Sequence, residues 1–128
     1  MSWIRPQKLT NSEIQILVEN KMRWLLVHTQ PLQMILFGSA ARGELTDQSD
    51  LDFAFIFKSE AARDKGKQAI YRASREDFWP LDFLFYTLEE FNEAAVKGGV
   101  AFLIKNEGKI IYNTEASNDT CTTGTVVP

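Results

Sequence analysis

Apolar residues that recur at spacings of three and four predict a helix near the start of the chain. The recurring positions are Ile14, Leu17, Val18, Met22, Leu25 and Leu26. Ser12 and Gln15 precede most of them in the pattern of a capping box, in which two side chains satisfy backbone N–H groups of the first turn. Pro31 marks the latest point at which this helix ends. We therefore expect an amphipathic first helix.

Short apolar runs with strand period predict four strands. These runs are residues 34–37, residues 51–57, residues 81–86 and residues 109–112. Because side chains alternate across a strand, Asp50 and Asp52 point to the same face of the second run. The third run also starts with an acid, Asp82. Carboxylates thus stand at the start of two predicted strands.

Two more helices follow from the same kind of pattern. A charged segment after Ser59 keeps one apolar stripe, made of Ala62, Gly66, Ala69, Ile70 and Ala73. Thr87 and Glu90 form a second capping-box pattern, and the helix behind it ends at Gly98 and Gly99. The apolar stretch 100–104 leads into a predicted turn at residues 106–108 and adds no element.

The resulting order is helix, strand, strand, helix, strand, helix, strand, which is typical of a compact α/β (α+β) domain. We expect residues 1–113 to form this one domain. Residues 114–128 are rich in Thr, Ser, Asn and Gly and are predicted to be a flexible polar tail.

Composition and charge narrow the class of function. The chain has 128 residues, a formal net charge of −3 and a single cysteine, Cys121. A negative net charge disfavours binding along a nucleic acid, which depends on neutralising many phosphates. The first residues carry no apolar core of signal-peptide length, and no run reaches the roughly 20 apolar residues that cross a bilayer. We therefore expect a cytoplasmic protein that binds no membrane.

Clustered carboxylates in an apolar strand require a physical explanation. Two like charges about 4 Å apart repel by roughly 4 kcal/mol at an effective dielectric of 20. Mg²⁺ removes this repulsion, since it binds carboxylates and completes its shell with water and substrate phosphates. We therefore predict that Asp50 and Asp52 hold the ion bound to a triphosphate, and that Asp82 helps to hold a second ion. Asp50, Asp52 and Asp82 are the predicted catalytic and metal-binding residues.

The segment before these acids is predicted to bind the phosphates. Gly38 permits close approach of the backbone, and Ser39 is expected to start one or two helical turns over residues 39–43. Arg42 follows one turn later and can add a charge-assisted contact to phosphate. The predicted reaction is in-line attack of a hydroxyl on the α-phosphorus, which transfers a nucleoside monophosphate and releases pyrophosphate.

These residues also carry a family resemblance. Gly38-Ser39, ten intervening residues, Asp50-x-Asp52 and the later strand Leu81-Asp82-Phe83-Leu84 resemble nucleotidyltransferases of the DNA polymerase β superfamily. Over about residues 11–113, the chain most resembles their minimal form, the MNT-domain antitoxins that partner HEPN-domain toxins. One departure is Ala40, where the family often has a basic residue; here the arginine comes at Arg42.

The resemblance implies a polymerase β-like nucleotidyltransferase fold, with a small mixed sheet flanked by helices. It implies two Mg²⁺ ions on the three acids, ATP as the substrate on Gly38 and Ser39, and adenylylation of a tyrosine in a partner HEPN ribonuclease. Two alternatives stay open. The chain could be a non-catalytic antitoxin that covers its toxin, or it could transfer a nucleotide to a small molecule or an RNA end.

Overall fold

The computed structural model describes residues 5–75, 77 and 79–114. In chain order, its elements are α1 (Asn11–His28), β1 (Gln33–Phe37), β2 (Leu51–Phe57), α2 (Glu60–Ser74), β3 (Leu81–Thr87), α3 (Leu88–Lys97), α4 (Val100–Glu107) and β4 (Lys109–Asn113). All four predicted strands are present. The predicted tail, apart from Thr114, lies outside the described residues. None of the described helices has the length and apolar character needed to span a bilayer.

The four strands form one mixed sheet in the order β3-β2-β1-β4. β1 pairs antiparallel with both β2 and β4, whereas β2 and β3 run parallel. The register places Phe37 of β1 opposite Asp52 of β2, and Asp52 opposite Asp82 of β3. The starts of β2 and β3 and the end of β1 therefore meet at one end of the sheet.

Alternation along β2 divides the core between the two faces of the sheet, as the sequence predicted. Phe53, Phe55 and Phe57 pack among buried residues of α1 and α2. Ala54 and Ile56 pack on the other face against α3 and α4. Because β2 is buried on both faces, its half-buried Asp52 is the polar exception within the strand.

The first helix starts earlier than its sequence pattern suggested. Thr10 is the N-cap: its hydroxyl accepts from the Glu13 N–H at 3.1 Å, and the Glu13 carboxylate accepts from the Thr10 N–H at 2.8 Å. The predicted box of Ser12 and Gln15 is therefore wrong. Both residues already lie inside the first turns of the helix, and a carboxylate is a stronger acceptor than an amide at its positive N-terminal end.

Residues 100–107 form a helix that the sequence analysis missed. Ala101 and Ile104 of α4 are buried against the sheet, and Gly99, with φ of 77°, stands at its N-cap. The predicted turn at residues 106–108 is the last part of this helix, where the Gly108 N–H donates to the Ile104 carbonyl at 2.9 Å. The apolar run at residues 100–104 has only five residues, which is too short for its period to distinguish a helix from other structures.

Candidate nucleotide and metal site

Two carboxylates meet at the end of the sheet because β2 and β3 are parallel. Asp52 and Asp82 are direct neighbours in this pairing. Asp52 is half-buried on the α3 and α4 face, whereas Asp82 and the preceding acid Asp50 are exposed. Strand direction, which sequence alone did not give, thus places the later acid beside the earlier pair.

The environment of Asp52 makes its ionised form costly. Burial, followed by the negative charges of Asp82 and Asp50, raises the pKa of the Asp52 carboxyl from 3.8 to about 6. A hydrogen bond with Asp82 adds to the rise, and the nearby Arg42 guanidinium opposes it. Four of the predicted site residues therefore interact at this end of the sheet.

Gly38 lies against the Asp52 carboxylate. Its φ is 77°, a conformation that side chains disfavour, and a Cβ added there would overlap Oδ2 of Asp52. The absence of a side chain at Gly38 therefore leaves room for the Asp52 carboxylate, which lies beside the end of β1. This contact gives the Gly-Ser motif a structural role in addition to the predicted role in phosphate binding.

Residues 38–43 form a series of turns and not the predicted helix. The Arg42 N–H donates to the carbonyls of both Gly38 and Ser39, at 3.3 and 3.1 Å, and the Glu44 N–H closes back onto the Ser39 carbonyl at 2.8 Å. Gly43, with φ of 73°, turns the chain away before a regular helix develops. Any phosphate bound here would meet turn amides and not the N-terminus of a helix.

The departure at Ala40 has a packing explanation. Ala40 and Ala41 are both buried in the α1-side core, at 3% and 7% exposure. A basic residue at position 40 would have to place its charge in this core. Arg42, in contrast, is exposed, and its Nε donates to the Glu44 carboxylate at 3.0 Å. Exposed pairs of this kind contribute about 1 kcal/mol or less, so Arg42 can exchange Glu44 for phosphate.

Sequence reasoning missed the contacts that join the loops before β2 and β3. The Trp79 indole N–H donates to the Ser49 carbonyl at 3.0 Å, and the Leu51 N–H donates to the Pro80 carbonyl at 3.0 Å. These contacts flank Asp50 on one loop and precede Asp82 on the other. The one sequence feature that could have indicated these contacts is the pair Trp79-Pro80, which stands just before Asp82 in the chain.

The acids are suited to a metal ion whose coordination shell is completed by the substrate. Among the described residues, no three histidine, cysteine or acidic side chains are arranged as a ready metal site. Mg²⁺ does not require such a cage, because it commonly takes one or two carboxylates together with water and substrate phosphates. The carboxylates of Asp52 and Asp82, on paired strand positions, supply a donor set of this kind.

A cavity of about 900 Å³ lies elsewhere, between α1 and β4. Its apolar lining includes Ile14, Val18 and Met22, which belong to the α1-side core. Asp52 shares its strand face with the opposite core, so this cavity does not contain the acids. Four residues of the turn at residues 38–43 line this cavity and connect it with the site: Ala40, Ala41, Arg42 and Gly43.

Comparison with known proteins agrees with this arrangement. The profile of the nucleotidyltransferase domain family matches residues 13–111. The crystal structure of a candidate nucleotidyltransferase from Sulfolobus solfataricus has a TM-score of 0.54 and 19% sequence identity to this chain, covering 82% of this chain and 85% of that one. A search among curated proteins gave no match. At this low identity, the structural likeness concerns the fold alone.

The raised pKa of Asp52 predicts a specific dependence of stability on pH. Between the unfolded value near 3.8 and the folded value near 6, the folded state binds more protons, so stability falls as pH rises through this window. Asp52→Asn should therefore stabilise the metal-free protein above pH 6, by about 1 kcal/mol after allowance for partial exposure. The gain should disappear near pH 4. Urea unfolding in EDTA measures both, with the exposed Glu93→Gln as the charge-matched control; equal curves for wild type and Asp52→Asn would contradict the assignment.

Gly38→Ala should disturb the Asp52 carboxylate as well as strain the backbone. Gly99 has the same φ of 77° but has nothing within 4 Å of an added Cβ. Gly99→Ala therefore measures the strain, about 1 to 3 kcal/mol, without the clash. We expect Gly38→Ala to lose more stability than Gly99→Ala and to move the NMR signal of the Asp52 carboxyl. Equal losses with an unmoved signal would contradict the close contact.

Proposed function

Since the chain belongs to the nucleotidyltransferase domain family, we propose that it transfers AMP from ATP to a tyrosine of a partner HEPN-domain ribonuclease and thereby acts as an antitoxin. Transferase activity in general follows from the family; the donor, acceptor and biological role are our proposal. The observation that carries it is the parallel pairing of Asp52 with Asp82, next to Asp50. Carboxylates gathered in this way repel one another unless cations bind them.

Each acid has a proposed role. Asp50 and Asp52 would hold the Mg²⁺ that accompanies the triphosphate, and Asp82, the exposed carboxylate on β3, would help to hold a second ion. When bound, the ions neutralise the phosphates and lower the pKa of the attacking hydroxyl. The hydroxyl oxygen bonds to the α-phosphorus, the bond from that phosphorus to the pyrophosphate oxygen breaks, and Asp82 accepts the proton of the hydroxyl.

The turn at residues 38–43 is proposed to hold the outer phosphates. Gly38 keeps the backbone free of a side chain at the edge of the acid cluster. The half-buried Ser39 hydroxyl and turn amides can then donate to phosphate oxygens. Arg42 supplies the positive charge after releasing Glu44, as the exposed geometry of that ion pair allows.

A protein acceptor is supported by exposed apolar residues between α3 and β4. Val96 is 83% exposed and Leu103 is 50% exposed. Further exposed large apolar residues in this part of the chain are Val100, Phe102 and Ile110. Apolar surface of this kind is typical of protein contacts. One small domain that uses an end of its sheet for ATP needs such a surface to hold a macromolecular acceptor, and we propose that the HEPN toxin binds it in the cytoplasm.

The two alternatives make different use of the same features. A non-catalytic antitoxin would need the exposed apolar surface but would gain nothing from mutually repelling carboxylates. Transfer to an RNA end would need positive surface, which a net charge of −3 does not favour. The clustered acids therefore favour catalysis, and the apolar surface favours a protein acceptor.

Asp50→Asn and Asp52→Asn should each reduce Mg²⁺-dependent AMP transfer by at least about a hundredfold, because removal of a metal ligand weakens charge stabilisation in the transition state. Glu93→Gln is the charge-matched control and should keep full activity. Intact mass of the co-expressed partner measures transfer as the gain of one AMP. Since Asp52→Asn is expected to stabilise the fold, its loss of activity cannot come from unfolding.

Other results of this experiment would contradict the proposal in different ways. A partner that is inhibited but unmodified would favour the non-catalytic antitoxin. AMP found on RNA or on a small molecule would favour the other acceptors. Full transfer by both Asn variants would exclude the metal assignment altogether.

Leu103→Lys should reduce partner modification by at least about tenfold, since it places a charge in the proposed protein contact. Ile16→Lys is the matched control: Ile16 is 60% exposed, but on α1. Pull-down with the purified partner, together with the rate of AMP transfer, measures both effects. Equal behaviour of the two lysine variants would contradict the proposed surface.

A further inference from the structure

The loop before β3 is fixed to the body of the domain by a buried carboxylate. The Asp77 side chain is only 5% exposed, and its Oδ1 pairs with Lys21 Nζ of α1 at 2.7 Å. The same oxygen accepts from the Trp79 N–H at 2.9 Å. Among the described residues, Oδ2 of Asp77 has no hydrogen-bond partner. A carboxylate in this setting resists movement, because displacement would break its ion pair in a buried site.

The Trp79 side chain continues this connection to the neighbouring loop. Its ring packs against the α1-side core, and its indole N–H donates to the Ser49 carbonyl at 3.0 Å. One residue later, the Pro80 carbonyl accepts from the Leu51 N–H at 3.0 Å. Consecutive residues of the β3 loop thus bind the residues on either side of Asp50.

Ser49 is held from its other side as well. Its Oγ accepts from the Thr46 N–H at 3.1 Å and lies 2.8 Å from the Thr46 hydroxyl. The Ser49 side chain therefore fixes the turn that precedes β2, and its carbonyl is left for Trp79. Without the indole hydrogen bond, Asp50 would be held only from its C-terminal side, by the hydrogen bond from the Leu51 N–H to the Pro80 carbonyl.

We propose that Trp79 is a positioning residue that keeps Asp50 beside Asp52 and Asp82. The need for such a residue is electrostatic: Asp50 is exposed, and its negative charge acts against that of Asp52. Without a fixed loop, this repulsion would favour movement of Asp50 away from Asp52. The indole hydrogen bond and the Leu51 amide oppose this movement, so the site is held ready for cations before they arrive.

This inference rests on the proposed function for the role of the acids, but the positioning itself can be measured without catalysis. The main variant is Trp79→Phe, which keeps an aromatic ring in the core and loses the N–H. Trp24→Phe is the matched control, since Trp24 packs against the same core and its ring contact is with His28. Replacement of the Trp79 indole by a benzothiophene ring removes only the N–H and keeps the ring volume.

Two measurements by NMR test the positioning. The first is hydrogen exchange of the Leu51 amide in the metal-free protein. The second is titration with Mg²⁺ alone, followed at the signals of Asp50, Asp52 and Asp82. We expect Trp79→Phe and the benzothiophene protein to show about fivefold faster Leu51 exchange and about fivefold weaker Mg²⁺ binding, the effect of one lost hydrogen bond of ordinary strength. Trp24→Phe should change neither.

The possible failures are distinguishable. Wild-type protein that binds no Mg²⁺ at these acids would refute the proposed function. Wild-type binding that persists unchanged in both Trp79 variants would refute the positioning role alone. Weaker binding in Trp24→Phe to the same extent would also refute it, because the effect would then come from general loosening of the core. Unchanged Leu51 exchange in the benzothiophene protein would overturn the proposed contact between the loops.

Discussion

Repulsion between carboxylates that the sheet brings together is the constraint on which the rest of this structure depends. The parallel register of β2 and β3 makes Asp52 and Asp82 neighbours, and Asp50 lies two positions before Asp52 in the chain. Burial and these charges together raise the pKa of Asp52 to about 6. A fold that needed only stability would gain from an apolar residue at position 52, as at the other positions of β2. The position of this acid therefore requires a reason other than stability, and the proposed binding of cations supplies one.

The remaining elements are arranged so that this costly group can be kept. β2 is buried on both faces, by α1 and α2 on one side and by α3 and α4 on the other. That burial fixes the backbone of β2. The strand therefore cannot rotate to turn Asp52 outward into solvent. Gly38 accommodates the carboxylate through the absence of a side chain, and Trp79 binds the loop beside it. Stability is supplied by the two cores, while the end of the sheet carries the strained charges.

The features that depend on the alternation of side chains along a strand were predicted correctly from the sequence. The features that depend on strand direction or on contacts between distant residues were not. The period of two along β2 correctly assigned Phe53, Phe55 and Phe57 to one face and Ala54 and Ile56 to the other. It also placed Asp50 and Asp52 together, but the position of Asp82 depends on a parallel pairing that no local pattern encodes. Residues 39–43 were predicted as one or two helical turns starting at Ser39, but they form hydrogen-bonded turns that end at Gly43 before a regular helix develops. The Trp79 contact joins residues 30 positions apart, so it could not be predicted locally.

The clustered acids and the exposed apolar residues of α3, α4 and β4 lie in different parts of the molecule and are subject to different constraints. The acids and the Gly38 turn lie at strand ends, which the two cores hold in place. The exposed apolar residues lie on α3, α4 and β4, where a substitution such as one at Val96 disturbs neither core nor acids. The fold itself persists at 19% identity to its Sulfolobus solfataricus counterpart. The charged end of the sheet is therefore constrained by packing and electrostatics, whereas the exposed apolar residues are subject to neither constraint.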